Sequence, residues 1–347
     1  IFFRYLSSNP LLRTCVSSAS AGACSSMQWW AYLLVILFSH AVGAPPADTS
    51  GSDTWASTLS HIFENPLTNL RFEDYRQWLG EVQSGQRKLI YKKAKWGQQT
   101  IYIHHTCSMA LEMVWSEVMR FDDYVLGDAN LTHGGVAVDI GGNVGMVSAV
   151  VGATYPNAMV YAFEPVRGMA LLALHTIIRN RLRNVVLHNV GVTHDGARAK
   201  WHKVEREFCP GLDMSADVES VTVPQVLSHY KLPHVNFLKI DCEGCEFAVV
   251  PTIEFARVSR LAGELHPEIC PPSVTDGAFT RVVQALCGFH AAQPWGYGVS
   301  GCDTPINSIA APRRAVWKSL VCGRNVSLRR RPRRTRWANQ ASRVYEC

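Results

Sequence analysis

Residues 136–145 read VAVDIGGNVG. The apolar, β-branched run over residues 136–140 predicts a buried strand. Gly141, Gly142 and Gly145 then surround Asn143, and an apolar, helix-like stretch over residues 144–151 follows at once. Glycines at a strand-to-helix turn let the backbone approach a ligand that a Cβ would push away. The free N–H groups at the start of the next helix favour a carboxylate or phosphate. The turn therefore predicts a cofactor cradle. Its order, D-x-G-G-N-x-G, departs from the dinucleotide spacing G-x-G-x-x-G. A second run, residues 158–163, ends in Glu164 and Pro165. A carboxylate there can accept both hydroxyls of a ribose, while Asp139 can meet an ammonium or an ordered water. An amino-acid carboxylate at the helix start, an ammonium by Asp139 and a ribose on Glu164 together describe S-adenosylmethionine. The competing reading is an ordinary α/β turn with two surface acids, which the pairing of the turn with Glu164 disfavours.

Asn189, Asp241 and Glu264 also fall at predicted strand ends, and Asn189 joins the cofactor-binding set. One such polar residue is routine; several at successive ends predict one shared crevice beyond the carboxyl edge of a sheet. Methyl transfer from a sulfonium is an in-line displacement, in which the protein aligns the reactants and excludes water. A hydroxyl acceptor also loses a proton, so a base within hydrogen-bond reach is expected. Asp241 is the first candidate because it ends the strand expected to face the methyl group. His266 is the second, since an imidazole takes a proton near neutral pH; a surface histidine before Pro267 is an equally good reading. Glu264 is placed to orient His266 or to bind a substrate hydroxyl. Glu246 reads as a helix-start charge that complements the dipole. Cys242 and Cys245 form a C-x-x-C, either a redox pair or disulfide, or two packing residues at a strand–helix junction; packing is favoured.

The elements that must position these residues alternate along the chain. Strands are expected over residues 136–140, 158–163, 185–190, 235–240 and 261–265, with helices over 144–151, 169–178 and 246–258, the last kinked at Pro251. Residues 197–204 and 218–223 read as further extended runs, and segments near 282–289 and 315–321 as closing elements. Strand–helix alternation predicts an α/β fold with a mostly parallel sheet covered on both faces. Ahead of it, residues 61–119 predict an N-terminal extension: a helix over 62–82, a hairpin of 89–91 and 100–104, and a short helix over 111–119.

The flanks differ in character. Residues 1–26 form an upstream segment. Residues 27–44 contain the apolar run WWAYLLVILF followed by a small-x-small pattern. That pair reads as a signal peptide or a short signal-anchor. Residues 45–60 are a Pro, Ser and Thr-rich linker. The sequons at Asn130 and Asn325 agree with a secretory protein. The net charge is +6, yet Arg329, Arg330, Arg331, Arg333, Arg334 and Arg336 alone supply that excess. Attraction to anions thus belongs to the tail, residues 326–347, which reads as a solvated tail, an anionic-surface or nucleic-acid contact, or a processing site. The catalytic body has no basic patch interleaved with aromatics, so no nucleic-acid partner is expected. Eleven cysteines without a repeated C-x-x-C, and scattered histidines, predict no metal site.

VDIGGNVG, YAFEP, NFLKIDCEGCE and GELH, in this order, resemble the FkbM-type S-adenosylmethionine-dependent methyltransferases. The resemblance covers roughly residues 120–290, within a domain placed at 120–325. It implies a Rossmann-like methyltransferase fold and transfer to oxygen, on a sugar or other hydroxylated small molecule. It also implies cofactor contacts at Asp139, Gly141, Asn143, Gly145 and Glu164, and a signature beside the reaction centre at Asp241, Glu243, Gly244 and Glu246. Gly142 stands where alanine is usual, Cys242 and Cys245 where small apolar residues are usual, and residues 221–227 lack the usual acidic pair.

Overall fold

The computed structural model describes residues 69–120, 134–202 and 215–265, the segments 316–319 and 344–346, and isolated positions 62, 63, 65, 67, 124, 126, 129, 131, 282 and 285. The chain divides into two compact units, Ile1–Phe63 and Glu64–Cys347. Only Ile62 and Phe63 of the first are described. The apolar N-terminal run, the sequon asparagines Asn130 and Asn325, His266 and the arginine run lie outside the described residues. No described helix is long and apolar enough to cross a membrane.

The second unit opens with helix α1, Phe72–Gln83, then a hairpin of β1, Ile90–Trp96, and β2, Gln99–His105. Helix α2, Ser108–Trp115, runs into a π-turn at Ser116–Arg120. The strand–helix alternation follows: β3 Val136–Ile140, α3 Met146–Thr154, β4 Met159–Phe163, α4 Arg167–Arg179 and β5 Val185–His188. Two short pairings come next, from β6 Gly191–Val192, β7 Ala199–His202, β8 Ser215–Val218 and β9 Ser220–Val221. Helix α5, Val223–His229, leads to β10 Phe237–Ile240, α6 Glu246–Val249 and β11 Leu261–Leu265. β12, Val316–Ser319, and β13, Val344–Glu346, complete the described strands.

The main sheet has the order β12-β11-β10-β3-β4-β5, with every pairing parallel. β10 and β5 are buried along their whole length, as strands covered on both faces must be. Side chains alternate between the faces. Val138, Ile140, Phe163, Leu238 and Ile240 join Val226, Leu227 and Phe247 in one apolar core. Asp139 and Lys239 therefore point to the opposite face, where α3 lies. The register sets Lys239 directly beside Asp139.

The sequence and the structure part at a few elements. The expected helix over 246–258 is only α6, followed by one 3₁₀ turn at Val250–Thr252 and a second at Phe255–Arg257. Pro251 has no N–H for a helical bond and its ring crowds the preceding turn. Of residues 218–223, read as an extended run, Val218 ends β8 and Ser220–Val221 form β9, but Val223 already begins helix α5. Its start is a capping box: Gln225 N–H donates to Thr222 Oγ1 at 3.2 Å, and Thr222 N–H donates to Gln225 Oε1 at 2.7 Å. The basic tail ends in β13, which pairs antiparallel with β1.

The N-terminal elements pack on α4 through an aromatic seam. Tyr75 OH meets His175 Nδ1 at 3.0 Å, and the rings of His104 and His175 stand edge to face at 4.6 Å. Asn180, capping α4, exchanges hydrogen bonds with the Tyr102 backbone at 2.7 and 2.6 Å.

Candidate active site

The glycine turn is built as a closed knot at the end of β3. The N–H groups of Gly141 and Gly142 both donate to Phe163 O at 2.9 Å, which ties the turn to the end of β4. Gly141 has φ +81, and a Cβ built there would lie 1.7 Å from Asp241 O. Only glycine allows both the left-handed backbone and that close approach. Gly145 caps α3 with φ +76, its ideal Cβ 3.1 Å from Ala173 Cα. Asn143 adopts φ 48, a conformation asparagine tolerates better than most residues.

Glu164 is fully buried and its carboxylate serves this knot. Oε2 accepts from Asn143 N–H at 2.7 Å and Oε1 from Val166 N–H at 2.8 Å. Hydrogen bonds to a charged group contribute roughly 1.5–3 kcal/mol each. These two bonds assign Glu164 to holding the turn, and a carboxylate with about four acceptor positions keeps room for the ribose hydroxyls expected of it. Asn189 is likewise internal: its Nδ2 donates to Glu164 O at 2.8 Å and Pro165 O at 2.9 Å. It pins the backbone around Glu164.

Asp139 does meet an ammonium, but one that the chain supplies. Lys239 Nζ lies 3.1 Å from Asp139 Oδ1, and Ser148 Oγ donates to Oδ2 at 2.7 Å. Both side chains of the ion pair are 3% exposed. The same ammonium donates to Gly141 O at 2.5 Å and lies 3.7 Å from Asp241 Oδ2. Asp241 is the more open of the two acids, with 18% of its side chain exposed. Its Oδ2 also accepts from Tyr124 OH at 2.5 Å. Burial pushes the Tyr124 phenol well above its usual pKa, and the Asp241 and Glu117 carboxylates push it further. Tyr124 is therefore a protonated donor at every physiological pH. The Lys239 ammonium lies 5.5 Å from the centre of the Tyr124 ring, within cation–π range.

These groups border one small cleft that is open to solvent. Gly141, Gly142 and Asn143 form one side, Met146 and Val147 an apolar wall, and Tyr124, Asp241 and Glu243 the other side. Asn143 Oδ1 is buried without a hydrogen-bond partner among the described residues. A buried acceptor left unpaired is costly, so a ligand donor there has a place prepared for it. The cradle thus fits a polar cofactor at Gly141, Gly142, Asn143 and the first turn of α3.

The structure therefore brings Gly141, Gly142, Asn143 and Asp241 onto one cleft, with Asp139 directly beneath. Glu264 is buried at the end of β11, close enough to raise the Tyr124 pKa further. Glu246 faces inward, its carboxylate accepting from Cys242 N–H at 2.8 Å and Gly244 N–H at 2.9 Å. Cys242 and Cys245 are joined by a disulfide, which corrects the packing role favoured for them. Among the described residues no group of three or more His, Cys, Asp or Glu side chains is arranged to hold a metal ion. Sequence reasoning passed over Lys239 and Tyr124. Lys239 carried a signal: a lysine inside an otherwise apolar strand requires a charged partner. Tyr124 carried none, being distant in sequence from every motif.

A parallel α/β sheet with a glycine-turn cradle at the carboxyl end of β3 defines the class, a Rossmann-like α/β fold. Residues 139–289 match the family model described as the Methyltransferase FkbM domain. The match covers less than half of the chain, and it supports a methyltransferase with S-adenosylmethionine as its cofactor. Among solved structures, a precorrin-6y C5,15-methyltransferase from Geobacter metallireducens is 18% identical over 47% of this chain and 67% of that one, with a TM-score of 0.29. A SAM-dependent O-methyltransferase from Thermotoga maritima is 12% identical over 58% of this chain and 76% of that one, also at 0.29. No curated protein matches the chain.

Proposed function

We propose that this methyltransferase acts on oxygen, methylating a hydroxyl of a glycan or another hydroxylated, uncharged small molecule, with Asp241 as the base. The observation that carries this reading is Asp241 itself: partly open to the cleft, and held by Tyr124 OH and the Lys239 ammonium. When bound, S-adenosylmethionine supplies the electrophilic methyl group. The chain supplies alignment and proton transfer. Gly141, Gly142, Asn143 and the start of α3 hold the cofactor, and Met146 and Val147 exclude water from one side. Asp241 takes the hydroxyl proton as the acceptor oxygen becomes nucleophilic, and its developing neutral carboxyl stays oriented by Tyr124.

Charge supports an uncharged acceptor. Lys239 is the only cationic residue among the described residues that line the cleft. Its ammonium is engaged by Asp139, Asp241 and Gly141 O. Glu117, Asp241 and Glu243 line the same space, so an anionic acceptor would meet repulsion there. The reading includes a place in the secretory pathway, supported by the apolar run at 29–38, the two sequons and the Cys242–Cys245 disulfide. The test is incubation of the full chain with isotopically labelled S-adenosylmethionine and panels of neutral glycans, amines and carboxylates, read by mass spectrometry. Label on a hydroxyl oxygen of a neutral acceptor is expected. Label confined to amines or carboxylates would overturn the assignment.

A further inference from the structure

The disulfide between Cys242 and Cys245, with Cα atoms 5.5 Å apart, closes the loop that directly follows Asp241. Inside it, Glu243 has φ 56 and Gly244 φ 109. A left-handed glutamate is strained, and it persists only where the surroundings enforce it. Glu243 lines the cleft together with Gly141, Asn143 and Asp241. The loop also rests on the cofactor turn, since a Cβ on Gly141 would lie 1.7 Å from Asp241 O and 3.2 Å from Cys242 Cα. Movement of this loop is therefore felt directly at the cradle. Two tethers hold it: the hydrogen bonds from Cys242 and Gly244 N–H to Glu246, and the disulfide spanning the same residues. Cys242 is packed in the apolar core at 7% exposure, whereas Cys245 is only half-buried. Cys245 Sγ is thus the sulfur an external thiolate reaches first.

We propose that Cys242–Cys245 is a thiol–disulfide exchange site that gates the cleft. Oxidised, it holds Glu243 and Asp241 against the glycine turn; reduced, it releases the loop and weakens S-adenosylmethionine binding. The co-reactant is a dithiol, either small or a protein C-x-x-C. One of its thiolates attacks Cys245 Sγ, the Cys242–Cys245 S–S bond breaks, and Cys242 leaves as a thiolate that takes a proton. The second thiol of the reductant then displaces Cys245, which leaves as a thiol, and the reductant departs as its disulfide. The reverse exchange with an oxidised dithiol restores the cystine. The gate rests on the cleft being the cofactor site.

The experiment is calorimetric titration of S-adenosylmethionine into the full chain, oxidised and after excess dithiothreitol, with alkylation mapping of each cysteine. Cys107 is also disulfide-bonded, so the Cys242→Ser/Cys245→Ser double variant, checked for folding by circular dichroism, isolates the pair. The dissociation constant is expected to rise roughly tenfold on reduction, the scale of one released left-handed residue. The double variant is expected to bind as weakly as the reduced wild type and to ignore the reductant. Equal affinity in oxidised wild type and double variant overturns the gate, as does a Cys242–Cys245 bond that survives excess dithiol. Absence of binding in both redox states would instead overturn the cofactor site itself.

Discussion

Two regions of this molecule bury polar groups, and they do so in opposite ways. At the ends of β3 and β10, Asp139, Lys239 and Asp241 form a compensated chain of charges with one end open to the cleft. In the seam between α1, β2 and α4, Tyr75, His104 and His175 are sealed and uncharged, with Tyr75 stacked on Trp78 and the His175 ring tilted against it. Burial drives the His175 pKa down to about 3, and that of His104 well below its usual value. Burial alone thus marks structure, whereas buried charge with one exposed member marks chemistry. Breaking each region separately tests the contrast.

The largest effect is expected at the open end of the charged chain. Asp241→Asn keeps the shape but cannot take a proton, so turnover should fall by about 10²–10⁴-fold. Cofactor affinity by calorimetry should stay within a few-fold of wild type. A variant with unchanged turnover would move the base elsewhere and dissolve the contrast. Next comes the closed end: Lys239→Met removes the partner of a carboxylate that is 3% exposed. Stranding one member of a buried pair costs about 3–5 kcal/mol, to be read as a lower urea midpoint at pH 7. The isosteric double change Asp139→Asn/Lys239→Met should recover part of that loss.

The sealed seam responds to pH instead. His175 has a folded pKa of about 3 against an ordinary value of 6.5, so below pH 6.5 the unfolded chain binds the extra proton. Its contribution is complete above about pH 6.5 and is lost progressively as pH falls toward 3. At pH 5.5 the loss is about 1.4 kcal/mol for each such histidine. His104 in the seam shifts in the same direction. Urea unfolding from pH 7.5 to 5 should show this slope, and His175→Gln should flatten it. A slope unaltered in His175→Gln would place the acid sensitivity on groups other than His175.

The two regions were unequally legible in the sequence. β3 was bounded correctly because the glycines that end it allow no continuation of a strand, and β11 because its apolar run is short and sharply flanked. The helix over 246–258 was overread: apolar periodicity continues past Pro251, but the backbone cannot. Glu164 shows the deeper limit. Its position at a strand end marked it as part of the site, yet the left-handed Asn143 turns its own N–H onto that carboxylate. Residue type reveals an acceptor but not the donor the backbone will deliver. The seam was invisible because Tyr75, His104 and His175 meet only through tertiary packing, with no spacing to announce it.

Tyr124 gives the finest test, because it joins the features of both regions: a buried phenol, like Tyr75, that donates into the charged chain. Tyr124→Phe keeps the ring under Lys239 and removes only the donor to Asp241 Oδ2. A hydrogen bond to the ionised carboxylate favours that form, so its loss raises the pKa of Asp241. The acid limb of the pH–rate profile should then move to higher pH by up to about one unit. At neutral pH the turnover loss should be about tenfold or less, with cofactor affinity unchanged, since Tyr124 acts on the base and not on the cradle. An acid limb that stays in place while turnover falls would show that Tyr124 only fills space, as the seam aromatics do, and the boundary between the two regions would then run through Asp241 itself.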